Sequence, residues 1–145
     1  LGPDVHIHAH LESDYPKLLL YRPAWHPQNS RHEASIPPRI GVGIEWRHKD
    51  VTFVGHESSA YVGVWVDCGN EAGRHFRDKA VRVFREERLL TEPRRNWATS
   101  WWPSYGWARA QGEYWDDLSL YRQQLVDCVR SYWQKFAPTI DRLVT

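Results

Sequence analysis

The stretch from Ala60 to Phe84 restricts the fold more than any other part of the chain. Tyr61-Val62-Gly63-Val64-Trp65-Val66-Asp67 is rich in β-branched and aromatic residues with short side chains between them, the composition of a buried or half-buried central strand. Cys68-Gly69-Asn70-Glu71 then supplies a turn glycine, an N-cap asparagine and a first-turn acid, and Phe76, Ala80, Val83 and Phe84 follow at helical spacing. A strand therefore feeds directly into an amphipathic helix.

The other alternating segments extend this unit. Val5-His6-Ile7-His8-Ala9-His10-Leu11 alternates strictly, so His6, His8 and His10 share one face of a strand whose back is apolar. Lys17 to Arg22 predicts a short strand between Pro16 and Pro23. The prolines and small polar residues from Trp25 to Pro38 predict a long surface loop. Arg39 to Arg47 alternates again, and Val51 to Gly55 is expected to return beside it before Tyr61 to Asp67, giving three consecutive antiparallel strands. Asn96 to Trp102 predicts a further strand. Asp116 or Asp117 is expected to cap a long helix with Leu118, Tyr121, Leu125, Cys128, Val129, Tyr132 and Phe136 on one face, stopped by Pro138.

The expected architecture is α+β: an antiparallel sheet of about four to six strands with two helices packed on one face. Ile44, Trp46, Val64, Val66, Phe76, Phe84, Leu125, Val129 and Phe136 are its predicted core. At 145 residues and 41% hydrophobic content the chain is sized for one such domain. Leu1-Gly2-Pro3 reads as the remnant of a cleaved tag, so a domain excised from a longer protein is expected.

Composition also restricts function. A formal net charge of +1 provides no global field for a polyanion, leaving only local basic patches. Two cysteines, Cys68 and Cys128, make neither a disulfide framework nor a Cys-x-x-Cys site, and no apolar run approaches the roughly 18 residues of a membrane span. A cytoplasmic protein with no membrane partner is expected. No Gly-rich phosphate loop, nucleophile elbow or paired His-Glu zinc helix appears, so no cofactor and no catalytic residue is predicted.

Three clusters invite a functional reading, each against a plainer one. Asp4-Val5-His6-Ile7-His8 resembles the entry strand of metal-dependent amidohydrolases, which implies a metal held by His6 and His8, with His10 on the same face; the plainer reading is an exposed strand face that carries histidines. Arg74, Arg82, Arg85 and Arg88 lie opposite the apolar face of the first helix, where a phosphate-contacting stripe competes with a solvated face whose Asp78, Glu86 and Glu87 form ordinary helical ion pairs. Trp97, Trp101, Trp102, Tyr105, Trp107, Tyr114 and Trp115 crowd a segment interrupted by Pro103, Gly106 and Gly112, which puts several rings on loops. Nine Trp, seven Tyr and four Phe either build a heavily packed core or leave rings over for a binding surface, and the plainer reading of the crowded segment is that its rings plug the open edge between the sheet and the second helix.

From Val64 to Val144 the order of features resembles a small bacterial accessory domain of unknown function, associated with restriction-endonuclease-like nucleases. The likeness rests on Val64-Trp65-Val66, on Phe76 and Phe84, on Trp97 and on Tyr132-Trp133-Gln134-Lys135-Phe136-Ala137-Pro138-Thr139-Ile140. These are packing residues, and the resemblance implies no catalytic one. The expected function is a non-catalytic recognition domain, in a bacterial defence or nucleic-acid-processing system, that binds a nucleotide or nucleic acid through Arg94, Arg95, Trp101, Trp102, Tyr105, Trp107 and Arg109: stacking rings beside phosphate-binding guanidinium groups. The alternatives are a protein-interaction domain, immunity or regulatory in kind, contacting its partner through the Trp25 to Pro38 loop, and a metal-dependent hydrolase using the Asp4-His6-His8 strand.

Overall fold

Alternation of side chains becomes a sheet in the computed structural model, which describes residues 2, 4–13, 15–26, 37–46, 59–90, 101–109 and 118–145. Five strands, β1 (His6–His10), β2 (Lys17–Tyr21), β3 (Ile40–Trp46), β4 (Ser59–Val66) and β5 (Ser104–Arg109), lie side by side in sequence order, each antiparallel to its neighbours. Among the described residues two α-helices, α1 (Glu71–Glu86) and α2 (Leu118–Val144), join the sheet in an α+β fold.

β3 runs between β2 and β4, with Ile40 opposite Val66 and Trp46 opposite Ala60. The predicted return strand at 51–55 therefore does not intervene between them, and that segment is outside the described residues. The register itself shows why the direct pairing wins. It sets Val42 against Val64 and Ile44 against Val62 on one face, so the β-branched residues pair with one another there, and Gly43 against Gly63 and Gly41 against Trp65 on the other.

The valine-rich face holds the main core. Ile40, Val42, Val62, Val64 and Val66 are fully buried against Phe76, Ala80 and Phe84 of α1 and Leu125, Val129, Phe136 and Ile140 of α2. Phe84 meets Phe136 edge-on, with ring centroids 4.9 Å apart. Ile44 and Trp46 sit half-buried at the margin of this cluster.

α1 begins as its sequence predicts: the Asn70 side-chain oxygen accepts the Gly73 N–H at 2.8 Å. It ends in a Schellman arrangement, with the Leu89 N–H donating to Phe84 O at 2.8 Å and the Arg88 N–H to Arg85 O at 3.0 Å. Arg88 takes a φ of 56°, in the left-handed region that glycine normally occupies at this position.

α2 does not stop at Pro138 but runs through it to Val144. An interior proline costs a helix about 3 kcal/mol. Beyond it Ile140 and Leu143 are buried in the main core, and each such side chain contributes about 1.5 to 3 kcal/mol, which offsets the break. Its predicted N-cap at Asp116 or Asp117 lies outside the described residues. Polar ties hold the last turns. The Trp25 indole N–H donates to Asp141 Oδ1 at 2.8 Å, the Arg22 guanidinium pairs with the other oxygen, and Thr139 and Arg142 both donate to Glu87 at the end of α1.

Trp25 is corrected by the same contacts. Its ring is fully buried on the 3₁₀ turn Pro23–Trp25 and lies 5.0 Å from that of Trp133, so it is a core residue and not the surface contact that the proline-rich composition suggested. Prolines report backbone restriction and say nothing of where a neighbouring indole packs. Residues 27–36 of that predicted loop lie outside the described residues.

Candidate functional site

The second face of the sheet is built on different chemistry. One row crosses all five strands: His8 opposite Leu19, Leu19 opposite Gly43, Gly43 opposite Gly63, and Gly63 opposite Tyr105. The two central glycines are required by close approach. A Cβ on Gly43 would stand 1.9 Å from Leu18 O, and one on Gly63 2.1 Å from Ser104 O.

Over this glycine floor Leu19, Trp65, Trp102 and Tyr105 form a buried cluster separate from the main core. Trp65 alternates with Val64 and Val66, so it faces away from the helices. Its ring also lies 5.7 Å from Lys17 Nζ, which is 3.0 Å from Glu45 Oε2 across the β2–β3 pair. The Trp65 indole N–H is buried and finds no acceptor among the described residues, and buried donors of this kind are commonly met by water or a ligand.

Trp101 closes the cluster on its open side. Its ring stacks on Trp65 with centroids 5.7 Å apart and an interplanar angle of 20°, and its carbonyl accepts the Val66 N–H at 2.8 Å. The ring reaches over Gly69, where an added Cβ would lie 3.7 Å from it, just ahead of the N-terminus of α1. Trp101 remains 36% exposed, whereas Trp102 and Tyr105 are 2% and 6% exposed.

The predicted ligand residues are thus divided. Trp101 presents a ring to solvent. Trp102 and Tyr105 have no open π-face and support Trp65 instead. Tyr105 and Trp107 lie on β5 and not on a loop, since Ser104 to Arg109 pairs with β4 in full despite Gly106. Of Trp107 and Arg109 only the register positions opposite Tyr61 and Ser59 are described. Arg94 and Arg95 lie outside the described residues, as do Trp97, Tyr114 and Trp115.

Charge around the start of α1 is mixed. Arg74 is exposed on the first turn of α1, while Arg39 is half-buried with its guanidinium 5.3 Å from the Phe76 ring. Asp67 and Glu71 bring carboxylates to the same end, and Asp67 Oδ1 already accepts the Gly69 N–H at 3.0 Å. Such a mixture suits a contact with few phosphates.

The histidines form strand β1 as predicted, with His6 and His10 exposed and His8 buried. The His6 ring lies 5.6 Å from that of Tyr21. No group of three or more His, Cys, Asp and Glu side chains suited to hold a metal ion occurs among the described residues. Cys68 stands just before α1, where a helix N-terminus favours thiolate, yet burial pushes its thiol up from the ordinary value and its Sγ donates to Val66 O. Cys128 is pushed up by burial as well. Among the described residues no helix is long and apolar enough to cross a membrane.

What sequence reasoning missed is Trp65. The signal was present in the period of two: with Val64 and Val66 assigned to the helix-covered face, Trp65 has to lie on the other. Compared with family models, with curated proteins and with solved structures, the chain matches none.

Proposed function

We propose that this protein is a non-catalytic recognition domain that binds a nucleotide or a short single-stranded nucleic acid by stacking a base on Trp101. The observation that carries the reading is the Trp101–Trp65 pair: an exposed indole held rigid from behind by a buried one. A ring fixed in this way loses little entropy when a base stacks on it, and stacking contributes about 1 to 3 kcal/mol per base. The mixed charge around α1 and the net charge of +1 suit a contact with few phosphates, whose affinity falls only modestly with salt. The resemblance of the segment from Val64 to Val144 to accessory domains beside nucleases supports a place in bacterial defence or nucleic-acid processing, and the thiols Cys68 and Cys128 suit a reducing cytoplasm.

Titration of labelled single-stranded and double-stranded oligonucleotides at two salt concentrations tests this. Wild type is expected to prefer the single strand, and Trp101→Ala to weaken it about tenfold, the equivalent of one lost stack. Absence of binding by wild type, or equal binding by the variant, sinks the reading.

A further inference from the structure

On the helix-covered side the sheet is not wholly covered. Ile7, Leu18, Leu20 and Ile44 of β1 to β3 face Val126 and Val129 of α2 across an open apolar groove of about 220 Å³. Ile7 is 67% exposed and Val126 44%, although both lie on regular elements beside a well-formed core. Apolar surface left open in this way marks a contact site.

Charge identifies the occupant. Arg122, Val126 and Arg130 are all exposed, one helical turn apart, and form the rim of α2 along the groove. Among the described residues Arg130 pairs with Asp127 of its own helix, at 3.4 Å, and Arg122 makes no ion pair. Arg130 also lines a second, more polar hollow of about 480 Å³ with Trp133, Gln134 and Arg22, whose guanidinium is already paired with Asp141. On the far side β1 is an edge strand that pairs with β2 and with no other described strand.

We infer that this groove binds a segment of a second protein whose apolar side chains enter between Ile7 and Val126 and whose carboxylates meet Arg122 and Arg130. An extended segment also finds backbone partners on β1, as in strand addition. A second copy of this chain is the competing occupant, and sedimentation distinguishes the two. The surface is distinct from the Trp101 platform, which lies on the opposite face of the sheet.

The test is selection from a displayed random decapeptide library against the whole protein, followed by titration of the enriched peptide in synthetic labelled form. Expected is a consensus that joins two or more apolar residues to Asp or Glu. Val126→Glu should weaken the peptide about tenfold or more, the loss typical of a removed interface anchor. Arg122→Glu with Arg130→Glu should transfer preference to a peptide with lysine in place of each acid, and Trp101→Ala should leave peptide binding unchanged. If Val126→Glu lowers thermal stability, Ile7→Glu on the opposite wall replaces it. Failure to enrich, a consensus without acids, or binding that survives these changes overturns the inference. So does a concentration-dependent dimer in sedimentation that Val126→Glu dissolves, which assigns the groove to a second copy.

Discussion

The two faces of the sheet are made by the same strands and follow opposite rules. Toward the helices, Val42, Val62, Val64 and Val66 fill space against Phe84 and Phe136, and such a core accepts other apolar residues of similar volume. On the other face, Gly43 and Gly63 provide absence, and large rings lie across the gap. A volume-filling face is specified by total apolar content; a glycine floor is specified residue by residue.

The largest effect that sharpens this contrast belongs to the helix side. Phe136→Ala removes a fully buried ring that packs on both Phe84 and Tyr132, and should cost about 3 to 5 kcal/mol in urea unfolding. A loss below about 1 kcal/mol would show that the core is not where the contacts place it. On the glycine face the prediction reverses in sense, because adding one methyl is the damage. Gly63→Ala is expected to cost about 3 kcal/mol, at the upper end of the overpacking range, and the volume-conserving Leu125→Met on the helix side less than about 1.5 kcal/mol. Equal tolerance of both would end the distinction between the faces.

Smaller effects come from the ends of α1, where neither rule applies. Thr139 donates to Glu87 Oε2 at 2.6 Å and Arg142 to both oxygens, and these bonds hold the Glu87 carboxyl below its ordinary value. A carboxyl lowered on folding stabilises the native state above its unfolded value of 4.5, and that contribution is lost as pH falls through the lower folded value. The difference in melting temperature between wild type and Glu87→Gln should therefore shrink on acidification below pH 4.5, and a constant difference would count against the clamp. Smallest of all, Arg88→Gly should stabilise by about 0.5 to 1 kcal/mol, because glycine takes the positive φ without strain. No gain in denaturant midpoint would mean that the arginine side chain contributes more than its backbone costs.

Legibility followed the same division. Periodicity exposed the strand-to-helix unit at Ala60 to Phe84, the Asn70 cap and the buried stripe of α2, since each is a repeating local pattern. It failed where a single distant contact decides. Pro138 reads as a stop because the local cost is visible, while the burial of Ile140 and Leu143 that outweighs it is not. Trp25 reads as loop because Asp141, its partner, is 116 positions away. In the candidate site, aromatic crowding drew attention to the segment of Trp101, but only the β4–β5 register and the packing show Tyr105 on a strand and Trp102 beneath the surface.

Asp141 carries a consequence for the order of assembly. It joins the final turns of α2 to Arg22 and Trp25 across sequence separations of 119 and 116 residues. The turn after β2 is made before α2, and until α2 follows, its Arg22 guanidinium and Trp25 indole lack Asp141. Contacts of that separation close a large loop, so these ties belong to the non-local part of folding, and the turn after β2 is secured only once the second helix is in place.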